Sequence, residues 1–173
     1  MKKKDPNVWK YRQFFWRSWA IQASWNYERQ MNMGFMYGIA PILDAIYKNP
    51  EDEQRKKEAY ERHMMYYNCT PQTSAFVLGL ASSMEEQYYE DPVSFNPESI
   101  SAVKTSLMGP LSGVGDSFFQ GTIRVLAFGL GINLAQQGSI LGPILAMIVS
   151  FLPSFFVTYY GGKIGYTMGN KYL

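Results

Sequence analysis

Apolar side chains recur at helical spacing near the start of the chain. Val8, Tyr11, Phe15 and Trp19 follow one another at intervals of three and four residues, and neither Gly nor Pro occurs within residues 8–30. This pattern predicts one amphipathic helix over that range. Its aromatic side suits the headgroup boundary of a membrane and equally suits the core of an ordinary helical domain, so the segment alone favours neither.

Three dipeptides typical of helix starts divide the sequence that follows: Asn49-Pro50, Thr70-Pro71 and Asn96-Pro97. We predict that a helix begins at each of them. The first, to about residue 68, is highly charged and is expected to lie largely in water. Residues 31–47 are apolar, but too short and too interrupted by glycine and proline for a membrane span. No alternating strand pattern of useful length occurs, so the predicted fold is all-α.

The last third of the chain has a different character. Residues 125–162 form a run of 38 residues without Asp, Glu, Lys or Arg, whereas a spanning helix requires roughly 20. A polar break separates residues 122–135, short enough to be re-entrant, from residues 140–160, long enough to span. We therefore predict an integral membrane protein, with amphipathic and cytosolic-side helices in residues 1–108 and a Gly-rich hairpin with membrane-embedded segments in residues 109–173.

Charge and cysteine content exclude several classes of function. The net charge is +2, with acidic and basic side chains interspersed, so no basic stripe for nucleic acid is present. Cys69 and His63 are the only cysteine and histidine, which gives no zinc-binding set, and neither a metal nor a cofactor is predicted. His63 lies beside Arg62 and Glu61 on the charged helix and is expected to be solvated or locally paired.

The carboxylates do not form a catalytic set. Glu85 and Glu86 are adjacent, and neighbouring side chains on a helix diverge by about 100°, so they cannot easily share a substrate atom. Glu28 and Arg29, beside an aromatic residue, are expected to form a structural network rather than a substrate contact. No arrangement of nucleophile, base and orienting group appears, so we do not predict catalysis by this chain alone.

Asp116 is the single carboxylate in a run of glycines and apolar residues, "MGPLSGVGDSFFQGTIR". Lipid is too costly a neighbour for a carboxylate, so Asp116 is expected to face a partner, a cavity or a helix N-terminus. Alternatively it caps a helix over residues 118–130. The two interpretations are compatible. The glycines around it are expected to permit irregular backbone or close helix contact.

Six stretches carry a family resemblance, in the order "QASWNYERQMNMGFMYGIAPIL", "RHMMYYNCTP", "MEEQ", "KTSLMGPLSGVGDSFFQGTIR", "GSILGPIL" and "YYGGKIGYTMG". From about Tyr11 to the end, the chain resembles the IID component of the mannose/fructose/sorbose family of the bacterial sugar phosphotransferase system. The resemblance implies a subunit of the bacterial cytoplasmic membrane that pairs with a IIC subunit to translocate a hexose or amino sugar. A cytosolic IIB component then phosphorylates the sugar, and IIA recharges IIB.

The resemblance also implies that IID carries no phosphohistidine and that IIC–IID pairs assemble as trimers. Lys2, Lys3 and Lys4 favour a cytosolic N-terminus by the positive-inside rule. Family members continue well beyond the length of this chain, so a non-transporting scaffold or truncated remnant that binds IIC-like partners is the alternative expectation. The residues that match the family's motifs are candidates for packing, IIC contact or the translocation path: Trp25, Asn26, Glu28, Arg29, Glu85, Glu86, Gln87, Gly109, Pro110, Gly113, Gly115, Asp116, Gly121, Thr122 and Arg124.

Overall fold

The computed structural model describes residues 5–172, and the side chains of residues 5–171. The helices are α1 (Val8–Ser18), α2 (Asn32–Ile46), α3 (Glu53–His63, after a 3-10 turn at Pro50–Asp52), α4 (Pro71–Glu90), α5 (Glu98–Gly115), a π-helical segment (Asp116–Ile123), α6 (Arg124–Gln136) and α7 (Leu141–Tyr172). Within residues 5–172 extended pairing is limited to isolated bridges. The prediction of an all-α fold is confirmed.

The first helix is shorter than predicted. α1 ends at Ser18, and the chain then passes through turns before α2, so a single helix over residues 8–30 is wrong. The side chain of Asn26 explains part of this, because its amide contacts the carbonyl of Gln30 at 3.2 Å and its oxygen accepts from the backbone N–H of Arg29 at 2.8 Å. Gln30 adopts a positive φ of 56°, which a helix does not allow.

The core lies where α2 meets α1, α3 and α4. The apolar residues 31–47 form α2, whose Phe35, Ile39, Ile42 and Leu43 are completely buried. This segment is therefore a core helix, in agreement with its exclusion as a span. The charged helix α3 ends at His63, five residues before the predicted end, and only Ala59 and His63 of it are buried.

Two helices are long and apolar enough to cross a membrane. α5, the π segment and α6 are continuous over Glu98–Gln136 (39 residues), and the second is Leu141–Lys171 (31 residues). Residues 122–135 are thus the end of a long helix and not a separate short segment. Residues 109–124 are helical throughout, and the antiparallel hairpin within the predicted region 109–173 is formed by α6 and α7 around the turn at residues 137–140. The predicted division between residues 108 and 109 falls inside α5.

A seam of glycines packs α7 against α4. Gly161, Gly165 and Gly169 are spaced four residues apart on α7, as in helix pairs that approach closely in membranes. A Cβ atom at Gly165 would overlap the carbonyl of Phe76, and one at Gly79 would overlap the carbonyl of Gly162. The seam joins the middle of α4 to the C-terminal third of α7. The start of α4, where the candidate site lies, meets the middle of α7 through Gln72 and Ser154, 3.4 Å apart.

Candidate functional site

The π-helical segment follows directly on α5 and faces the start of α4. Thr70, the residue before α4, places its hydroxyl 2.8 Å from Asp116 Oδ1 and 3.3 Å from the carbonyl oxygen of Ser112. Gly115 permits this approach, because a Cβ there would lie 2.6 Å from Thr70 Cβ. π-helical turns inside α-helices occur frequently at functional sites. The segment therefore ties the long helix to α4 at one point.

Asp116 lies at a helix N-terminus, which is one of its expected environments. Its partner Thr70 immediately precedes α4, where the positive end of the helix dipole favours an anion. The alternative, that Asp116 caps a helix over residues 118–130, is wrong, because Asp116 has helical backbone angles inside a continuous helix. Asp116 thus contributes to the N-terminus of α4 and not to that of α6.

A polar cleft of about 580 Å³ lies beside the π segment. It is lined by Ser18, Trp19, Ile21, Gln22, Pro71, Gln72, Gln120, Arg124 and Thr158. The side-chain amide oxygens of Gln72 and Gln120 are buried there without a hydrogen-bond partner. Arg124 is exposed and has no carboxylate within 4.0 Å among residues 5–172. The cleft therefore contains two unpaired hydrogen-bond acceptors, the amide oxygens of Gln72 and Gln120, and one cation, Arg124. Their partner is expected to lie outside the described part of the chain.

A second cluster is built around the buried carboxylate of Glu85. Arg62 binds it with two nitrogens, Nε at 2.9 Å from Oε1 and Nη2 at 3.0 Å from Oε2, while the Tyr47 hydroxyl donates to Oε2 at 2.9 Å. Burial alone would raise the pKa of Glu85, but the hydrogen bonds from His63 and Arg62 lower it to about 2. Glu85 is therefore ionised and fully engaged, and it fixes α2, α3 and α4 together.

His63 belongs to this cluster and is not solvated. It is completely buried, and its Nε2 lies 2.9 Å from Glu85 Oε1, so the prediction of local pairing is confirmed and that of solvation is wrong. Burial lowers the pKa of His63. A neutral imidazole that donates its Nε2–H to Glu85 leaves Nδ1 as an acceptor without a partner. Lys104 lies nearby, with Nζ 3.4 Å from the carbonyl oxygen of Arg62.

The neighbouring Glu86 and Gln87 join α4 to different elements. Glu86 Oε1 lies 2.6 Å from Lys10 Nζ, and the hydroxyl of Tyr166 donates to Glu86 Oε2. The amide of Gln87 donates to the carbonyl oxygen of Gly169 at 2.8 Å. The prediction that Glu85 and Glu86 diverge is confirmed. The Glu-Glu-Gln stretch therefore joins α4 to the core on one side and to α1 and α7 on the other.

The stretch from Trp25 to Arg29 forms the turn between α1 and α2. Asn26 is the structural residue here, since its amide also donates to Asn32 Oδ1 at 3.0 Å. Glu28 and Arg29 form an exposed ion pair at 3.4 Å, and Trp25 packs edge-on against Tyr27. The network expected of Glu28 and Arg29 is limited, because Glu28 pairs only with Arg29, and Arg29 Nη1 lies 3.5 Å from the carbonyl oxygen of Met64.

The predicted residues of the long helix separate into two groups. Gly115, Asp116 and Arg124 lie at the Thr70 contact or the polar cleft. The others lie along the helix away from these contacts: Gly109, Pro110, Gly113, Gly121 and Thr122. A Cβ at Gly109 or Gly113 would meet no atom within 4 Å, so close helix contact is confirmed only at Gly115.

Sequence reasoning missed several residues of both clusters: Tyr47, Arg62, Thr70, Gln72, Lys104 and Gln120. The stretch "RHMMYYNCTP" contained the signal for two of them, because it begins at Arg62 and includes Thr70. Lys104 stood alone among apolar residues of a predicted helix, which is an indication of a buried partner. Within the described residues, no three His, Cys, Asp or Glu side chains are arranged to hold a metal ion.

The chain is similar to phosphotransferase-system proteins over almost its whole length. A family model described as "PTS system mannose/fructose/sorbose family IID component" matches residues 8–173. The mannose-specific EIID component of Escherichia coli strain K12 is 38% identical over 155 residues, covering 90% of this chain and 54% of that protein. The fructose permease IID component of Bacillus subtilis strain 168 is 35% identical over 159 residues, covering 92% and 56%.

The fold is similar to that of a solved membrane transporter. A cryoEM structure of the mannose transporter ManYZ in complex with microcin E492 contains a chain with a TM-score of 0.89 and 35% identity, covering 97% of this chain and 60% of that one. A second structure, described as a membrane protein, gives a TM-score of 0.84 at 35% identity, covering 98% and 64%. This chain spans about half the length of the curated relatives that it matches.

Proposed function

Because the chain belongs to the mannose/fructose/sorbose family of IID components of the phosphotransferase system, we propose that it forms a sugar translocation unit with a IIC membrane subunit. The substrate is a hexose or an amino sugar. It is phosphorylated by a IIB phosphocarrier that IIA recharges. The observation that carries this proposal is the family match over residues 8–173, together with the fold that the chain shares with a mannose transporter.

The exposed faces of α6 and α7 support an intramembrane partner. Large apolar side chains on both helices are more than half exposed, among them Leu126, Phe128, Ile132 and Met147. Arg124 lies next to this surface in the longer helix, and a cation at such a position is stabilised by an anionic group. We assign Arg124, with Gln72 and Gln120, to contact with the IIC subunit. Asp116 and Gly115 then keep this part of the helix against α4.

The chain contributes structure and not phosphoryl chemistry. His63 is its single histidine. Because that ring is completely buried and bonded to Glu85, a soluble phosphocarrier has no access to it. Glu85 pairs with Arg62 of α3, and Glu86 pairs with Lys10 of α1. These contacts support a subunit without catalytic activity of its own.

The assembly follows from the same proposal. The family relatives and the transporter structures point to the bacterial inner membrane. The N-terminus lies on the cytosolic side, in line with the lysines that begin the chain. IIC–IID pairs assemble as trimers. A non-transporting scaffold is not favoured, because the similar proteins are named as permease or transporter components.

Uptake in cells that lack their own mannose-type system tests the proposal. The cognate IIC, IIB and IIA proteins are supplied with and without this chain, and accumulation of phosphorylated hexoses and amino sugars is measured. We expect uptake of at least one sugar that requires the chain. Co-purification with IIC but equal uptake with and without the chain would instead identify a scaffold and overturn the transport function.

The role of Arg124 is tested separately by co-purification. Arg124→Gln removes the cation but keeps a polar side chain of similar length. We expect it to weaken association with IIC by at least tenfold, because the anionic group on IIC would be left buried without its partner. Lys48→Gln, an exposed cation in the loop after α2, is the matched control and should leave association unchanged. Equal association of the wild type and Arg124→Gln would remove Arg124 from the interface.

A further inference from the structure

A groove between α1 and α7 is separate from the site described above. Its volume is about 690 Å³, and it is lined by Asp5, Val8, Tyr11, Arg12, Phe15, Trp16, Phe155, Tyr159, Tyr160 and Lys163. Most of these side chains are apolar or aromatic. Trp16, Tyr159 and Tyr160 are more than half exposed, so the groove opens to the surface of the molecule.

The two ends of the groove differ in chemistry. α1 runs antiparallel to α7, because Tyr11 packs against Tyr166 at 5.9 Å between ring centres, whereas Trp19 stacks on Phe151 at 5.7 Å. Phe15 lies between these contacts, with its ring 5.2 Å from that of Phe155. The inner end is therefore aromatic. Arg12, Lys163 and Asp5 belong to the outer end.

The cations of the outer end have no carboxylate partner in the described chain. Lys10 and Arg17, also on α1, are engaged by Glu86 and by the carbonyl of Tyr37. Arg12 and Lys163, by contrast, have no carboxylate within 4.0 Å among residues 5–172, and Lys163 lies 5.8 Å from the centre of the Tyr11 ring. The carboxylate of Asp5 accepts the backbone N–H of Asn7 at 2.9 Å.

The sequence around the groove is typical of the edge of a hydrocarbon layer. Lys163 is the first charged residue after the uncharged residues 125–162 of the α6–α7 hairpin. Tyr159 and Tyr160 precede it by one turn, and Trp16 faces them from α1. Tyrosine and tryptophan at this depth mark the boundary between the lipid tails and headgroups. Cations just outside such a boundary lie at the level of lipid phosphates.

We propose that this groove binds one anionic phospholipid, whose phosphate lies between Arg12 and Lys163 and whose acyl chain follows Phe15 and Phe155. The charge at the rim matches an anionic headgroup, and the aromatic inner end matches a hydrocarbon chain. A water-soluble phosphate would pair with the cations at the rim but would leave the aromatic inner end of the groove unfilled. The proposal requires the chain to lie in a membrane, but it does not depend on sugar transport.

Quenching by brominated lipids tests the proposal in the full chain. The protein is reconstituted in phosphatidylcholine vesicles that contain a small fraction of dibrominated phosphatidylglycerol, phosphatidylethanolamine or phosphatidylcholine. The fluorescence lost at Trp16 is obtained from the difference between the wild type and Trp16→Phe. We expect phosphatidylglycerol to quench Trp16 at a much lower fraction than phosphatidylcholine, and added glycerol 3-phosphate not to compete.

In the double variant Arg12→Gln/Lys163→Gln, the preference for phosphatidylglycerol over phosphatidylcholine should fall by about tenfold to thirtyfold. Each basic residue near a membrane surface contributes a factor of roughly five to binding, and this variant removes two of them. Lys48→Gln/Lys57→Gln removes the same charge elsewhere and should retain the preference. Arg12→Lys/Lys163→Arg, which keeps both charges, should also retain it. Equal quenching by all three lipids, a preference for phosphatidylethanolamine, or a preference that survives Arg12→Gln/Lys163→Gln would overturn the proposal.

Discussion

Glu85 and Glu86 are consecutive on α4, and their carboxylates belong to two separate networks. Glu85 is completely buried and is held by Arg62, His63 and Tyr47 on the core side of the helix. Glu86 is partly exposed and pairs with Lys10 on α1. The rotation of about 100° between successive helical residues produces this separation. One dipeptide therefore fixes α4 in two directions.

Removal of Glu85 should cost far more stability than removal of Glu86. Glu85→Ala leaves the partly buried Arg62 guanidinium without its counterion. Breaking a buried ion pair in this way typically costs about 3–5 kcal/mol. Glu86→Ala breaks a partly exposed pair, for which we expect about 1 kcal/mol. Thermal unfolding of the detergent-solubilised protein, followed by tryptophan fluorescence, measures both. Similar losses for the two variants would contradict the assignment of Glu85 to the core.

The stability of the protein should fall as the pH decreases from 7.5 to 5. Burial, together with the charges of Lys104 and Arg62, lowers the pKa of His63 below its ordinary value of 6.5, although Glu85 opposes this shift. The unfolded chain therefore binds a proton in this range before the folded chain does. Each kcal/mol lost lowers the midpoint of unfolding by about 2–4 °C.

His63→Gln supplies the control for this prediction, because His63 is the single histidine of the chain. His63→Gln should have a lower midpoint of thermal unfolding than the wild type at pH 7.5 and at pH 5. Its midpoint should, however, change less between these two pH values. Below pH 5 both proteins should lose further stability, since Glu85 is protonated in the unfolded chain near pH 4.5 and in the folded chain only near pH 2. An undiminished pH dependence between 7.5 and 5 in His63→Gln would rule out His63 as its source.

Thr70 and Asp116 should be energetically coupled. Thr70→Val and Asp116→Ala each remove one side of the 2.8 Å contact between the N-terminus of α4 and the π segment. Because the same hydrogen bond is lost in both, the double variant should be more stable than the sum of the single losses predicts, by about 1 kcal/mol. A double-mutant cycle of unfolding free energies measures this value. Strict additivity would show that the contact does not stabilise the fold.

The glycine seam can be tested with a substitution that adds one methyl group. Gly165→Ala places a Cβ atom against the carbonyl of Phe76 and should cost about 1–3 kcal/mol or more, because backbone cannot move aside as a side chain can. Gly129→Ala, in α6, meets nothing within 4 Å and should be neutral or stabilising by up to about 1 kcal/mol. Equal thermal midpoints for the two variants would be inconsistent with close packing of α4 and α7.

Local patterns predicted the helices better than their ends. Thr70-Pro71 and Asn96-Pro97 correctly marked the starts of α4 and α5, since proline is favoured at the beginning of a helix. The end of α1 was missed because no glycine or proline lies there. The turn depends instead on hydrogen bonds of Asn26 to residues that come close only after folding.

The glycines and Pro110 of residues 109–124 do not break the helix. In water-soluble proteins such residues interrupt helices, but the long helix here continues through Pro110 and the neighbouring glycines. In a membrane the backbone has no water to bond with, which favours continuation of the helix. The groups around Glu85 were also beyond prediction, since Tyr47 follows α2, Arg62 lies on α3 and Lys104 lies on α5, and only the tertiary fold brings these elements together.

The length of the helix Glu98–Gln136 has a mechanical consequence. Its 39 residues extend over about 58 Å, almost twice the hydrocarbon thickness of about 30 Å. The part near Lys104 is clamped in the charged core, while the part beyond Arg124 lies among apolar surfaces. Between these two parts, Pro110 and the π segment interrupt the regular α-helical hydrogen bonds. A tilt of about 10° at this section would displace the far end of α6, together with the α7 turns packed against it, by several ångströms.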